Sequence, residues 1–187
     1  YYYYPLHARP EASTLTLGRG TDDEEAISFI SRRLPLGTKL VIKENPVMIE
    51  VRPRSFYKSI LDQNNNVVFC NIKIPSNELI KKSIGVLGIS GTALLEARMM
   101  NKPAYAVGYP EFKQLLSGFG YDGIEKFLVD CLLSIKPQNN NVTKYKKYIK
   151  KIGVEVFYDN KILRSSVKMK REAKKLSNSI DKSLKVI

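Results

Sequence analysis

One short segment of the sequence, residues 88–97, has the composition of a phosphate-binding turn. It reads GISGTALLEA, in which an apolar stretch passes through small residues into a helix-forming run. The amino end of a helix presents N–H groups and a partial positive charge, which favour an anion. Gly91 would let a phosphate approach the backbone, and the hydroxyls of Ser90 and Thr92 would donate to it. Glu96, one turn further, would accept hydrogen bonds from a ribose. Ordinary strand-to-helix turns also contain such residues, with the glutamate solvated.

Chargeable residues also follow an earlier apolar stretch, residues 39–43. Lys43, Asn45 and Pro46 stand at its end. Lys43 would neutralise a phosphate, while Pro46 would fix a turn and favour an extended backbone at Asn45. A plain turn that ends a strand explains the same residues.

The single histidine of the sequence, His7, follows the first apolar run. Its imidazole would carry a proton or donate to a sugar or phosphate oxygen, although a structural hydrogen bond is the alternative. Glu11 would act as a general base or as an acceptor for a sugar hydroxyl. Arg52 would add positive charge nearby or lie on a solvated helix start.

A parallel sheet would bring these segments together. Short stretches that are apolar throughout alternate with helix-forming segments, which is typical of βαβ units with helices on both faces. The predicted fold class is α/β, a Rossmann-like doubly wound parallel sheet, in which ligands bind at the carboxyl ends of the strands. We expect strands at residues 1–6, 39–43, 67–70, 84–89 and 103–107, and helices at 21–34, 55–61, 76–82, 93–100 and 124–135.

Local signals refine the ends of these elements. Thr21 and Glu24 have the spacing of a capping box, and Ser76 is predicted to cap a later helix. A glycine-rich loop is expected between Tyr109 and Gly123, as a flap over the site or as a linker.

The charge of the chain is concentrated at its end. The 187 residues carry a net charge of +13, and residues 136–187 hold 15 basic against 4 acidic residues. We therefore predict a Rossmann-like domain at 1–135 and a basic, mainly helical extension at 136–187. Such an extension would attract nucleic acid, an anionic membrane surface or an acidic polymer, or it would be a solvated helix face.

Several classes of protein are excluded by the composition. No apolar run is long enough to cross a bilayer, and the first residues lack the features of a signal peptide. One histidine excludes a His-rich zinc site, and any histidine-based triad must use His7. Two cysteines, Cys70 and Cys131, are expected as buried thiols in a reducing compartment, which favours a cytoplasmic location.

Taken in order, these motifs resemble the capsule polysaccharide biosynthesis family, bacterial glycosyltransferases of the GT-B type that include users of CMP-linked Kdo. Four segments carry the resemblance: PLHARPEAST (5–14), KLVIKENP (39–46), the Asn-rich turn before VVF (67–69) and SGTALLEARMMNKPAYAVG (90–108). The resemblance extends over residues 1–115. Asn45 stands where many members have histidine, Arg9 where glutamine is usual, and Asn101 where the family has glycine.

The resemblance implies the donor-binding half of a two-domain enzyme, without its N-terminal, acceptor-binding domain. The positions that match the family's motifs form two sets. The catalytic set is His7 and Glu11, and the set that binds the nucleotide sugar is Lys43, Asn45, Pro46, Ser90, Gly91, Thr92 and Glu96.

The implied reaction transfers a sugar from a CMP- or UDP-linked donor to a saccharide or lipid-linked acceptor. The sequence contains no Asp-x-Asp motif, so we expect no metal and no other cofactor. The enzyme would work in the cytoplasm, where its basic extension could also bind the anionic inner membrane. An exposed cleft face would allow self-association into a homo-oligomer.

Two other functions are compatible with the same residues. A sugar-nucleotide epimerase of similar fold would share the phosphate and ribose contacts, but it needs more acid and base groups than one histidine supplies. A non-catalytic module would bind an anionic partner through residues 136–187, whose aromatic residues could stack on bases. The sequence contains no nucleic-acid-binding motif, so nucleic acid is the less favoured partner.

Overall fold

A computed structural model describes residues 1–10, 17–18, 21–110 and 112–133 of the chain. The strands are β1 (Tyr2–Pro5), β2 (Leu40–Lys43), β3 (Val67–Phe69), β4 (Gly85–Gly88), β5 (Ala104–Ala106) and β6 (Gly118–Phe119). The helices are α1 (Asp23–Ser31), α2 (Arg54–Gln63), α3 (Ser76–Lys82), α4 (Thr92–Met99) and α5 (Gly120–Leu132). Single turns of 3₁₀ helix lie at Pro46–Met48 and Lys113–Leu115.

The strands form one parallel sheet in the order β3-β2-β1-β4-β5-β6. The chain builds outward from β1 on one side and then crosses to β4 and builds outward on the other. This is the doubly wound order, so the predicted α/β, Rossmann-like fold class is confirmed. The order reverses between β1 and β4, which are neighbours at the centre of the sheet.

Side chains that alternate along β1 pack on opposite faces of the sheet. Tyr2 and Tyr4 join a core that includes residues of α1, α2 and α5, whereas Tyr3 packs with residues of α3 and α4. All three tyrosines are buried. Helices therefore cover both faces, as the uniformly apolar strands predict.

The expected loop between Tyr109 and Gly123 is wrong in its second half. Gly118 and Phe119 pair with β5 as a sixth strand, and α5 begins at Gly120 rather than at Ile124. Two residues are too few to show the alternation of apolar and polar side chains that marks a strand in a sequence. This strand is therefore defined only by its pairing with β5.

Both predicted helix caps are wrong by one residue. Asp22 rather than Thr21 caps α1, because its carboxylate accepts from the backbone N–H of Glu25 at 2.8 Å. The three-residue spacing of the predicted capping box is kept, but it runs from Asp22 to Glu25 instead of from Thr21 to Glu24. Helix α3 is preceded by Pro75 and has no side-chain cap, while Ser76 is its first helical residue.

Other predictions are met in part or not tested. Cys70 is half-buried rather than buried, and the side chain of Cys131 lies outside the described part. The extension at 136–187 also lies outside the described residues, and its boundary stays a prediction. Among the described helices, none is long and apolar enough to span a membrane.

Candidate functional site

An open cleft of about 420 Å³ lies beyond the carboxyl ends of the central strands. His7 follows β1 and Ser90 follows β4, and both residues line the cleft. The cleft therefore sits where the strand order reverses. In doubly wound sheets this crevice is the place where ligands bind.

Helix α4 begins at the cleft without a side-chain cap. Its N-cap residue is Gly91, which has extended backbone angles (φ −69°, ψ 158°) and no side chain that could accept from the helix. The first N–H groups of a helix have no partner within it. Gly91, Thr92 and Ala93 line the cleft, so the positive end of α4 is presented there.

The hydroxyl of Ser90 adds a polar group to the same wall. Ser90 is only 5% exposed, and its Oγ has no hydrogen-bond partner among the described residues. A buried polar group without a partner costs on the order of 1–3 kcal/mol. Because Ser90 lines the cleft, a ligand oxygen or a water molecule there would remove this cost.

His7 packs directly against Gly91. A Cβ atom on Gly91 would lie 2.7 Å from Cε1 of the imidazole, which is closer than carbon atoms approach each other. Only glycine therefore allows the ring to sit at the start of α4. The imidazole, the Ser90 hydroxyl and the helix end together form one wall suited to an anion.

A buried carboxylate, Asp23, lies at the start of α1 behind this wall. It accepts from the Tyr4 hydroxyl at 3.1 Å and lies 3.3 Å from Nε of Arg9 and 3.7 Å from Nη1 of Arg52. Burial raises the pKa of Asp23 above its ordinary value, and the charges of Arg9, His7 and Arg52 oppose this rise. Arg52 is itself buried, so the expectation of a solvated arginine is wrong.

This raised pKa predicts an unusual pH dependence of stability. Asp23 binds its proton more tightly in the folded than in the unfolded chain, so its contribution to stability is largest below about pH 3.9. That contribution is lost as the pH rises through the folded pKa. Asparagine does not titrate. We therefore expect the unfolding free energy of the wild type, minus that of Asp23→Asn, to fall with rising pH in urea titrations. A difference that grows with pH would contradict the raised pKa.

The structure brings together most, but not all, of the predicted site residues. Five of them line the cleft: His7, Asn45, Ser90, Gly91 and Thr92. Glu11 lies outside the described residues. Lys43, Pro46 and Glu96 are not among the lining residues.

The positions of Lys43, Pro46 and Glu96 follow from local structure. The ammonium of Lys43 is turned towards the start of α3, where it donates to the carbonyl of Ile74 in the preceding turn at 2.7 Å and to Oγ of Ser76 at 3.2 Å. Pro46 starts a 3₁₀ turn that is capped by the Asn45 side chain. Glu96 is exposed, one turn along α4 from the cleft.

Sequence reasoning did not find the apolar part of the lining. Leu17 and Phe112 lie far apart in the sequence, in segments without a periodic pattern, and no sequence signal marks them. The remaining apolar lining comes from positions beside the predicted residues, namely Pro5, Leu6 and Ala93. Within the described ranges, no group of three or more His, Cys, Asp or Glu side chains could hold a metal ion.

Comparison with known proteins shows a likeness in structure. No family model matches the chain, and no curated protein matches it significantly. The solved structure of KpsC from Thermosulfurimonas dismutans, a beta Kdo 2,7 transferase, matches it with a TM-score of 0.50 and 17% sequence identity. The match covers 63% of this chain and 36% of that chain. The described residues thus form a Rossmann-like α/β domain with a glycosyltransferase-like fold.

Proposed function

We propose that this chain is the donor-binding domain of a glycosyltransferase in capsular or other surface polysaccharide biosynthesis. Its donor would be a nucleotide sugar, CMP- or UDP-linked, with the phosphate at the amino end of α4. The observation that carries the proposal is the buried hydroxyl of Ser90, which has no partner among the described residues and stands beside an uncapped helix end. The likeness in fold to part of a transferase supports the same function.

The proposed reaction is a direct transfer of the sugar. An acceptor hydroxyl forms a bond to the anomeric carbon while the bond from that carbon to the donor phosphate breaks, and the nucleotide leaves with the electron pair. The α4 N–H groups, the Ser90 hydroxyl and His7 would stabilise the charge on the leaving phosphate. These groups lead us to propose a reaction without a metal. A general base takes the proton of the acceptor, supplied by Glu11 or by a further domain.

The other residues of the predicted set would contact the rest of the nucleotide. Asn45, on the cleft wall formed after β2, would lie beside the nucleoside. Glu96 would accept from the ribose hydroxyls from its exposed position on α4. Lys43 and Pro46 would act from outside the cleft, by adding positive charge and by shaping the turn that carries Asn45.

Further partners complete this proposal. The acceptor, a saccharide or a lipid-linked one, would enter from an N-terminal domain that packs over the cleft. The match to 36% of the transferase chain is consistent with a second domain in the whole enzyme.

Two further partners are proposed for other surfaces of the chain. The basic residues 136–187 would bind the anionic inner membrane from the cytoplasm. The cleft face would also allow self-association.

A panel of nucleotides tests the proposal. In a panel of CMP, CDP, UDP, GDP and ADP, we expect CMP or UDP to raise the melting temperature the most. At 100 times its dissociation constant such a ligand stabilises the folded state by about 2.7 kcal/mol. The nucleosides cytidine and uridine, which lack the phosphate, are the matched controls and should give much smaller shifts. The proposal is wrong if millimolar concentrations of all five nucleotides leave the melting temperature unchanged.

A further inference from the structure

A buried ion pair lies within the loop between β2 and α2, and one of its members also reaches the loop that follows β1. Nε of Arg52 donates to Oε2 of Glu44 at 2.9 Å, and the two side chains are 5% and 11% exposed. Arg52 precedes α2, and Glu44 directly follows β2. Neither residue lines the cleft, so the pair lies behind its wall.

Each member of this pair holds a cleft residue through the backbone. Nη2 of Arg52 donates to the carbonyl oxygen of His7 at 2.7 Å. Oε1 of Glu44 accepts from the backbone N–H of Asn45 at 2.6 Å. His7 and Asn45 both line the cleft, on the loops after β1 and β2. A continuous chain of hydrogen bonds thus links two cleft residues through one ion pair.

Neighbouring side chains restrain both members of the pair. The Tyr57 hydroxyl donates to Oε2 of Glu44 at 2.6 Å, and the guanidinium of Arg52 lies 4.5 Å above the Phe56 ring. Asp23 faces the other side of Arg52, with Oδ2 at 3.7 Å from Nη1. The guanidinium presents its N–H groups to these partners in one rigid plane and stacks on the aromatic ring, which a compact ammonium group does not do.

Such an ion pair is expected to add little to the free energy of unfolding, because removing two charges from water costs about as much as their attraction returns. We infer that Arg52 and Glu44 are positioning residues, which set the spacing of His7 and Asn45 and hold the imidazole against Gly91. This inference rests on the proposed function in assigning a phosphate contact to His7. The positioning itself depends only on the hydrogen bonds described above.

The imidazole signal of His7 measures this positioning directly. The chain contains one histidine, so a ¹H–¹³C spectrum of the full chain shows one imidazole Cε1–H signal without further assignment. That carbon faces the Gly91 backbone, so a movement of the ring changes its surroundings. We expect Arg52→Met, which keeps the length of the side chain but loses every donor, to shift this signal beyond its linewidth. We also expect it to weaken nucleotide binding about tenfold.

Arg98 provides the matched control. It is a buried arginine at the last turn of α4, and its Nε donates to the carbonyl of Leu115 at 2.9 Å. Arg98→Met removes an equally buried guanidinium from the far end of the helix, so it should lower stability without moving the imidazole signal. A folded Arg52→Met protein with an unmoved signal would overturn the inference.

A second variant covers the case in which Arg52→Met does not fold. Glu44→Gln keeps the shape of the side chain but removes the charge that holds Arg52, and it should shift the imidazole signal by a smaller amount. An unmoved signal in that protein likewise overturns the inference. The spectra are recorded without nucleotide, so they test the positioning of His7 whether or not a nucleotide binds. If the wild-type protein binds no nucleotide, the proposed function is contradicted but the spectra still test this inference.

Discussion

Gly91→Ala should weaken nucleotide binding by about a hundredfold, because the added methyl group has no room beside His7. The new Cβ atom would lie 2.7 Å from Cε1 of the imidazole. The backbone angles at this position suit alanine, so the conflict is steric. The ring must move away from the start of α4, and a displacement of about 1 Å at a site of this kind costs on the order of a hundredfold. Calorimetric titration with the nucleotide selected by the panel measures the loss.

Gly88→Ala is the control for this substitution. Gly88 ends β4, is fully buried and stands three residues before Gly91. Its added Cβ atom would meet only Leu94 Cδ2 at 3.9 Å and Pro5 Cδ at 4.0 Å, which are ordinary contact distances. We expect Gly88→Ala to keep its affinity for the nucleotide. Equal losses in the two variants would show that the contact between Gly91 and His7 has no special role.

Ser90→Ala should lower nucleotide affinity without lowering stability. A hydrogen bond from the hydroxyl to a charged phosphate oxygen contributes about 1.5–3 kcal/mol, which corresponds to a loss of roughly tenfold to a hundredfold. In the free protein the hydroxyl has no partner among the described residues, so its removal takes away no hydrogen bond between them. Calorimetry for binding and urea denaturation for stability would give these two results independently.

Ser83→Ala is expected to give the opposite pair of results. Ser83 is also buried, but its hydroxyl donates to the carbonyl of Ile80 at 2.9 Å at the end of α3. Its replacement should lower the free energy of unfolding by about 1 kcal/mol and leave nucleotide binding unchanged. If Ser90→Ala instead behaves like Ser83→Ala, the Ser90 hydroxyl is a structural group and not a ligand donor.

The fold class could be predicted because short apolar strands alternate with helix-forming segments along the chain, a pattern that neighbouring residues alone define. Strands that are apolar on both faces, each followed by a helix-forming segment, can bury their side chains only inside a sheet covered on both sides. Tyr2, Tyr3 and Tyr4 show this directly, because neighbours in the sequence fill opposite cores. The two-residue strand β6 lacked any such pattern. It forms because Tyr105 and Ala106 offer it a partner.

The residues of the candidate site could be predicted to lie together where they follow strands, because the carboxyl ends of parallel strands share one edge. As this rule predicts, His7, Asn45 and Ser90 line one cleft. The rule could not show which way a flexible side chain turns. Lys43 follows the same rule, yet its ammonium is bonded to the segment before and at the start of α3.

The sequence by itself determined the α/β class, the carboxyl edge as the place of the candidate cleft and the small residues at the start of α4. Tertiary structure alone decided that β1 lies beside β4, and therefore that His7 meets Gly91 across 84 residues of chain. It also decided that Arg52 is buried between Asp23 and Glu44 rather than solvated. The physical reason is that patterns of polarity report on neighbours along the chain, whereas strand order and ion pairing depend on which surfaces pack together.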